Sequence, residues 1–558
     1  MTGGSDADQR ARARTRRRRL LDAVVARTLK MPSGGRDYTL TENVSVPMRD
    51  GVQLLADVYA PVGSSRGTVL IRTPYGRRTP IAVLTAGYYA THGYHVVNQS
   101  CRGTFGSGGD WRPFVTEIDD GADTVSWLRE QPWFGGRFAL CGASYLGYTA
   151  WAVMTDPPPE LACAVIAVSA HDNHQVTHPD GAFALEATLA VLDALPHVED
   201  RFLAGLARFP TATRRLGPGF EELPLVRAQQ TVLAGTAMPY AEWLQAAGAD
   251  DPVWQPMRLH QALERTAVPV LLHEGWSDPF VEQMIEQYAV LRRRGVDVAL
   301  TIGPWTHVDV AAKAARVTMP ETLDWLAEHL AGTGSRTRTA AVRVYLTGAD
   351  EWRDLPGWPP DTKPHVFFLQ PGGGLAGQPP DSGAGPSTFT YDPAAPTPSV
   401  GGRVINPVIG GRRDNRVLER RTDVLTFTSS PLEEPLEIIG TPEVELAHHS
   451  DNPYADLFVR LCEVRRDGRS VNLCDGFRRL RPEDSDDLTT IRLESLAHRF
   501  VAGTRIRLQV SGGAHPRRAR NLGTAEDPAT GTTLASSRRT IRHGAGGLSR
   551  LIVPTCPR

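Results

Sequence analysis

One stretch, Arg137-Phe-Ala-Leu-Cys-Gly-Ala-Ser-Tyr-Leu-Gly-Tyr148, decides how this chain folds. It begins with a short apolar run, Phe138 to Cys141, that predicts a buried strand, and from Tyr148 onward it predicts a helix. The turn between them carries Ser144 at its apex. A strand, a tight turn with a serine and a helix form the context of a nucleophile elbow, which exposes the serine hydroxyl above a sheet. The N-terminus of the following helix favours developing negative charge beside that serine.

The glycines of this turn fit an elbow with one departure. The common pattern is Gly-x-Ser-x-Gly, but here Leu146 occupies the position of the second glycine and Gly147 follows one residue later. A glycine there allows the new helix to pass close to its neighbours. Because glycine and serine are also frequent in ordinary turns, the stretch alone leaves a purely structural turn open.

The sequence on both sides of the elbow alternates between strands and helices. Strands are predicted over 68–73, 94–98, 161–168, 268–273 and 296–302, and helices near 81–92 and over 117–131. A hairpin over 43–59 precedes them, with its turn at Asp50-Gly51. Such alternation is typical of a parallel sheet that is covered on both faces, so the predicted fold class is α/β.

Two segments depart from this alternation. Residues 170–262 lack strand patterns and have helical periodicity, which predicts a helical cap over the carboxyl edge of the sheet. From about residue 340, beginning with Ala341–Leu346, short β-rich runs separated by Pro and Gly predict a β-sandwich or jelly roll. The predicted organisation is a basic leader and helix over 1–36, an α/β domain over 37–169 and 263–335, the cap, and a β-sandwich over 340–558.

Composition and charge exclude several classes of function. A net charge of −1 gives no field that would attract nucleic acid or an anionic membrane. No apolar run reaches the roughly 18 residues that span a bilayer, and no secretory signal is visible, so we expect a cytoplasmic protein. The arginines of residues 10–19 are interpreted as a leader, with a nucleic-acid tail as the alternative. The 6 cysteines have no metal-ligand spacing and are expected to be free thiols.

An acid and a histidine complete a catalytic pattern. Sites in such sheets lie at the carboxyl ends of the strands, and hydrolases of this type order their triads serine, acid, histidine. Asp278 follows one predicted strand, and His307 follows the last. We predict Ser144 as nucleophile, His307 as general base and Asp278 as the group that orients the imidazole. Taken singly, Asp278 could cap a helix and His307 could be an ordinary loop histidine.

A developing oxyanion needs donors that are already in place. The backbone N–H of Tyr145 is one by geometry, and the hydroxyl of Tyr75, after the third strand, is a second candidate, with a packed loop aromatic as the alternative. This chemistry needs no cofactor and no metal. His171, His174 and His178 have spacings that could bind a metal, but we expect histidines of the cap near the substrate instead.

Several motifs together resemble the cocaine-esterase-like (CocE/NonD) hydrolases, which are related to X-Pro dipeptidyl-peptidases and α-amino acid ester hydrolases. They are the elbow Gly142-x-Ser-Tyr-x-Gly147, Thr73-Pro-Tyr75, Gly275-Trp-x-Asp278, Gly303-Pro-Trp-x-His307 and Pro516-Arg-Arg-Ala-Arg-Asn521. The resemblance implies an α/β-hydrolase domain with a helical cap and a jelly roll. It also implies the triad named above, an oxyanion hole formed by Tyr75 and the Tyr145 amide, and the shifted glycine at 147.

The predicted substrate pocket has four members. Trp151 resembles an acyl-pocket wall, with core packing as the alternative, and Phe183, Trp276 and His171 are the other candidates. The predicted function is a serine hydrolase that cleaves a small-molecule ester or amide, with an apolar acyl group, through a covalent acyl-enzyme. An acyltransferase or biosynthetic tailoring enzyme, an X-Pro dipeptidyl-peptidase and a non-catalytic binding protein are the alternatives, and a homodimer is left open. No carboxylate cluster that would bind a free α-amino group is recognisable.

Overall fold

The computed structural model describes residues 19–20, 22–79, 83–200, 202–310, 312–334, 336–483, 488–544 and 546–556. Residues 1–18, which hold most of the predicted basic leader, lie outside the described residues. A helix over 22–28 precedes the first strand. None of the described helices has the length and apolar character required to cross a membrane.

Ten strands form the first sheet: β1 Tyr38–Pro47, β2 Gln53–Pro61, β3 Thr68–Thr73, β4 His95–Ser100, β5 Phe138–Ala143, β6 Leu161–Ala167, β7 Val270–Ser277, β8 Val298–Thr306, β9 Val342–Leu346 and β10 Glu351–Leu355. Their order is β1-β2-β4-β3-β5-β6-β7-β8-β9-β10. The strands from β4 through β3 to β9 pair in parallel, whereas β1, β2 and β10 are antiparallel to their neighbours. The carboxyl ends of the parallel strands therefore meet at one edge.

Both faces of this sheet are buried, as the sequence predicts. On β3, Leu70 points into one hydrophobic core while Val69 and Ile71 point into another. On β5, Leu140 belongs to the first core and Ala139 to the second. Because successive side chains of a strand alternate between faces, the continuous apolar runs of these strands need cover on both sides.

After the helix over 22–28, twelve further helices follow one another in the described residues: α1 Tyr88–Thr91, α2 Glu117–Arg129, α3 Tyr145–Val153, α4 Asn173–Thr177, α5 Leu185–Ala194, α6 Phe202–Phe220, α7 Ala228–Val232, α8 Tyr240–Gln245, α9 His260–Arg265, α10 Val281–Arg293, α11 His307–Val310 and α12 Ala315–His329. A π-helical turn, Val83–Gly87, precedes α1, and short 3-10 turns lie at Pro179–Gly181, Leu195–His197, Leu225–Arg227, Pro252–Met257, Pro371–Gly373 and Leu418–Arg420. Helices α4 to α9 all lie between β6 and β7. The strand-free segment over 170–262 is therefore helical, and we call it the helical insertion.

The helical insertion has its own apolar core and is bonded to the C-terminal part of the chain. That core also contacts Tyr75 and Phe114, which lie on loops before the elbow. The N–H of Ala519 donates to the carbonyl of Phe183 across 2.8 Å, and two further backbone bonds join residues 186 and 226 to 516 and 529. The segment Pro516–Asn521, quoted above for its resemblance, thus lies against the insertion.

The C-terminal part is rich in β structure. Its strands are β11 Lys363–Gln370, β12 Gly374–Ala376, β13 Ser387–Tyr391, β14 Val424–Ser429, β15 Leu436–Gly440, β16 Glu443–Ser450, β17 Ala455–Val464, β18 Ser470–Leu480, β19 Leu488–Arg492, β20 Leu496–Phe500, β21 Arg505–Ser511, β22 Ser537–Ile541 and β23 Arg550–Thr555. They form a 13-stranded arrangement around an apolar core of its own. The predicted β-rich C-terminal domain is confirmed.

The structure corrects the sheet to which the strand at 341–346 belongs. The sequence predicts it as the first strand of the β-sandwich, but β9 pairs in parallel with β8, and β10 follows it antiparallel. The first sheet therefore continues for two strands beyond the one that the sequence predicts as its last. The alternating burial of β9 explains the error, because a period of two indicates a strand without indicating its partner.

Candidate active site

Ser144 lies at the sharp turn between β5 and α3, as the elbow pattern predicts. Its backbone has a φ of 57° and a ψ of −125°, a conformation that side-chain-bearing residues rarely adopt. Its N–H donates to the carbonyl of Ala167 across 2.9 Å, and its own carbonyl accepts from Gly147 and Tyr148. Strain of this kind persists only where the surrounding structure enforces it, and it is a feature of nucleophile elbows.

The two glycines of the elbow have separate steric reasons. A Cβ at Gly142 would lie 2.2 Å from the carbonyl oxygen of Leu146, so the turn could not close. A Cβ at Gly147 would lie 2.6 Å from the Cβ of Ser169, which follows β6. The second glycine is needed at 147 because α3 passes close to the segment that follows β6 at this position.

Asp278 and His307 are brought together by the register of β7 and β8. Ser277 pairs with Thr306 at the ends of these strands, and the next residue of each is a triad candidate. With Nδ1 protonated, His307 donates to Oδ2 of Asp278 across 2.6 Å. Its Nε2 lies 2.9 Å from Oγ of Ser144, which places the serine hydroxyl to donate to it. Asp278 is fully buried.

Gly275 and Gly303, in the motifs that carry Asp278 and His307, are also required for steric reasons. A Cβ at Gly275 would lie 2.3 Å from the carbonyl oxygen of Trp305, and a Cβ at Gly303 would lie 2.5 Å from its ring. Trp305 packs across both strand ends. Glycine at both positions lets β7 and β8 approach closely enough for Asp278 to meet His307.

Two potential donors lie beside Ser144. The side chain of Tyr75, on the loop after β3, interacts with Ser144, and burial raises the pKa of Tyr75 to about 12, so its hydroxyl keeps its proton at neutral pH. Tyr145 is the first residue of α3, and its N–H has no acceptor within the helix. A hydroxyl and an amide at these positions can stabilise negative charge that develops beside Ser144.

The side chain of Tyr145 is held by an ion pair that the sequence analysis missed. Its hydroxyl donates to Oε1 of Glu117 across 2.9 Å and accepts from the N–H of Phe114 across 2.8 Å. Glu117 in turn pairs with Arg72 across 2.9 Å, and both side chains are at most 2% exposed. Burial and the Glu117 carboxylate raise the pKa of Tyr145. No local pattern could reveal this pair, since its members are 45 positions apart and lie on β3 and α2.

The four predicted pocket residues occupy different surroundings. Trp151 is fully buried in the same core as Leu70 and Leu140. Phe183 packs against His178 and Tyr240 within the helical insertion. Trp276 donates its indole N–H to the carbonyl of Tyr345 across 2.8 Å. Their contact with substrate stays a prediction.

His171, the fourth predicted pocket residue, is fully buried against the ring of His260, and burial lowers the pKa of His171 to about 3. Its ring is therefore neutral at physiological pH. His174 and His178 stack on each other with ring centroids 5.4 Å apart. Within the described ranges, no group of three or more His, Cys, Asp or Glu side chains is arranged to hold a metal ion.

Two protein-family models match this chain. Residues 50–309 match the family described as X-Pro dipeptidyl-peptidase (S15 family), and residues 334–552 match the X-Pro dipeptidyl-peptidase C-terminal non-catalytic domain. The two matches together span most of the chain, which is a serine hydrolase similar to this family. The cocaine esterase of Rhodococcus sp. (strain MB1 Bresler) is 29% identical over 538 residues, which cover 88% of this chain and 93% of that enzyme.

Solved structures show the same fold. An α-amino acid ester hydrolase superposes with a TM-score of 0.78 at 24% identity, covering 94% of this chain and 98% of that one. A CocE/NonD family hydrolase from Staphylococcus aureus superposes with a TM-score of 0.65 at 15% identity, covering 95% and 98%. The resemblance to CocE/NonD hydrolases, and the α/β fold with a β-rich C-terminal domain, are confirmed.

Proposed function

We propose that this serine hydrolase cleaves small-molecule esters through a covalent acyl-enzyme on Ser144. The observation that carries the proposal is the continuous hydrogen-bond chain from Ser144 through His307 to Asp278, at 2.9 and 2.6 Å. Each distance lies within the range expected for a nucleophile, its base and the group that orients the base.

Acylation begins when Oγ of Ser144 attacks the acyl carbon and Nε2 of His307 takes the hydroxyl proton. The carbonyl oxygen becomes an oxyanion that accepts hydrogen bonds from the hydroxyl of Tyr75 and the N–H of Tyr145. Asp278 stabilises the imidazolium and keeps its proton on Nδ1. His307 then protonates the leaving alcohol, the carbon–oxygen bond breaks, and the acyl group remains on Ser144.

Deacylation repeats these steps with water. His307 takes a proton from the water that attacks the acyl carbon, and the oxyanion returns to the same two donors. Collapse of the second tetrahedral intermediate returns the proton to Oγ of Ser144 and releases the acid. In a transferase, another nucleophile would take the place of this water.

One observation supports an ester over a dipeptide with a free amino group. The relative named cocaine esterase matches 88% of this chain. We further propose that apolar side chains of the helical insertion select an apolar acyl group, because burial of an unpaired charge there would be costly.

A panel of p-nitrophenyl esters with a matched dipeptide tests this proposal. Hydrolysis of apolar acyl esters with a burst near one equivalent of p-nitrophenol, together with slow cleavage of an Ala-Pro p-nitroanilide, is the expected result. Faster cleavage of the dipeptide anilide would favour the peptidase alternative. Release of p-nitrophenol that yields an acylated added amine instead of acid would favour the acyltransferase.

A further inference from the structure

The loop that carries Asp278 is bonded to the C-terminal β-rich domain. We call residues 276–282 the Asp278 loop. Arg403, whose side chain is 5% exposed, donates from Nε to the carbonyl of Trp276 across 3.1 Å and from Nη1 to Glu282 across 2.7 Å. One guanidinium therefore binds both ends of the loop.

A second contact from the same domain binds Glu282. The N–H of Ser495 donates to Oε1 of Glu282 across 2.6 Å, and the hydroxyl of Ser495 donates to Oε2 across 3.0 Å. Arg403 also donates to the carbonyl of Ser495, so the arginine, the serine and the carboxylate form a closed set of bonds. Glu282 lies in the first turn of α10, where a carboxylate is favoured by the helix N-terminus.

We propose that Arg403 and Glu282 are positioning residues for the triad, through which the C-terminal domain holds Asp278 against His307. This inference rests on the proposed function of the triad. Asp278 lies two residues after Trp276 and four before Glu282, between the two points at which the loop is bound. The family model that matches residues 334–552 is described as a non-catalytic domain. The contacts assign it a part in the geometry of catalysis.

The planar guanidinium of Arg403, with its several N–H donors, is the feature that a lysine cannot reproduce. A lysine at 403 keeps the charge but presents one ammonium group, which cannot reproduce two planar bonds to the separate acceptors of the loop. One end of the Asp278 loop would then be released. Displacement of a catalytic group by about 1 Å can lower a rate by roughly 10²-fold.

The first experiment compares Arg403→Lys with Arg507→Lys. Arg507 is the matched control because it bonds Glu419 and Thr428 within the C-terminal domain and has no part in the Asp278 loop. Active sites are counted by titration with a fluorophosphonate, so that unfolded protein does not enter kcat. We expect kcat of Arg403→Lys to fall roughly 10- to 100-fold with little change in KM, and kcat of Arg507→Lys to be unchanged. Equal kcat values for the wild type and Arg403→Lys would overturn the proposal.

The pH dependence of kcat/KM distinguishes a positioning role of Arg403 from a merely structural one, which would leave that dependence unchanged. A loosened Asp278 stabilises the imidazolium less, so the acidic limb of kcat/KM should shift to lower pH in Arg403→Lys. Glu282→Gln, which alters a side chain that is 45% exposed, should shift it in the same direction. If the limb stays at the wild-type pH in both variants, the proposal is wrong.

A double-mutant cycle separates this inference from the proposed function. In an Asp278→Asn background, Arg403→Lys should lower kcat little further, because its effect acts through Asp278. A full additional loss of kcat would overturn the positioning role and leave the triad intact. Unchanged kcat in Asp278→Asn alone would instead contradict the triad itself.

Discussion

Removal of the Tyr75 hydroxyl tests the contribution of the oxyanion hole separately from that of the triad. Tyr75→Phe deletes one oxygen and keeps the ring, whose centroid lies 6.3 Å from that of Tyr145 in an edge-on contact. The lost group interacts with Ser144 and, with its pKa raised to about 12, is a protonated donor throughout the working pH range. Loss of one oxyanion donor typically lowers kcat by roughly 10²–10³-fold, which corresponds to about 3–4 kcal/mol of transition-state stabilisation.

The assay is hydrolysis of a p-nitrophenyl ester in the steady state, with pre-steady-state burst kinetics to measure acylation and deacylation separately, because the oxyanion forms in both steps. We expect a fall in kcat with little change in KM, because the donor acts mainly in the transition state. Tyr148→Phe is the control, since that hydroxyl donates to the carbonyl of Phe114 across 3.0 Å. It should lower stability by about 1 kcal/mol and leave kcat unchanged. An unchanged kcat in Tyr75→Phe, with chemistry rate-limiting, would show that the tyrosine only packs.

Two predictions concern stability. Gly147→Ala places a Cβ 2.6 Å from that of Ser169 and should lower the free energy of unfolding, measured by urea titration, by roughly 1–3 kcal/mol. Gly217→Ala is the control, because a Cβ there meets nothing within 4 Å and should leave the free energy of unfolding unchanged. Equal unfolding midpoints for the two variants would contradict the steric argument. Burial raises the pKa of Glu186 from 4.5 to about 7, so its contribution is present below about pH 4.5 and is lost as pH rises through 7, by roughly 3 kcal/mol. Glu186→Gln should therefore reduce the fall in Tm between pH 5 and pH 8, and an unchanged fall would show that Glu186 does not cause it.

The triad candidates could be predicted because their positions follow from chain order. Ser144, Asp278 and His307 each come directly after a strand, and parallel strands bring their carboxyl ends to one edge. The structure adds a detail that no pattern contains, namely that Ser277 and Thr306 pair in register. That pairing is what makes the next two side chains neighbours.

Contacts between distant segments could not be predicted in this way. Arg403 and Glu282 are separated by 121 positions, and Glu117 and Arg72 by 45, so neither pair leaves a periodic signal. The partner of β9 was mistaken for the same reason, because alternation identifies a strand but not its neighbour. The pocket residues are uncertain from sequence because aromatic side chains such as Trp151 suit a core as well as a substrate wall.

The identity of the nucleophile is the claim on which the account depends most directly. Intact-protein mass spectrometry after treatment with a fluorophosphonate measures it. We predict one adduct per chain, located on the peptide that contains Ser144 and absent from Ser144→Ala when that variant retains the unfolding midpoint of the wild type. An adduct that persists in Ser144→Ala, or that maps to a different residue in the wild type, would contradict the account.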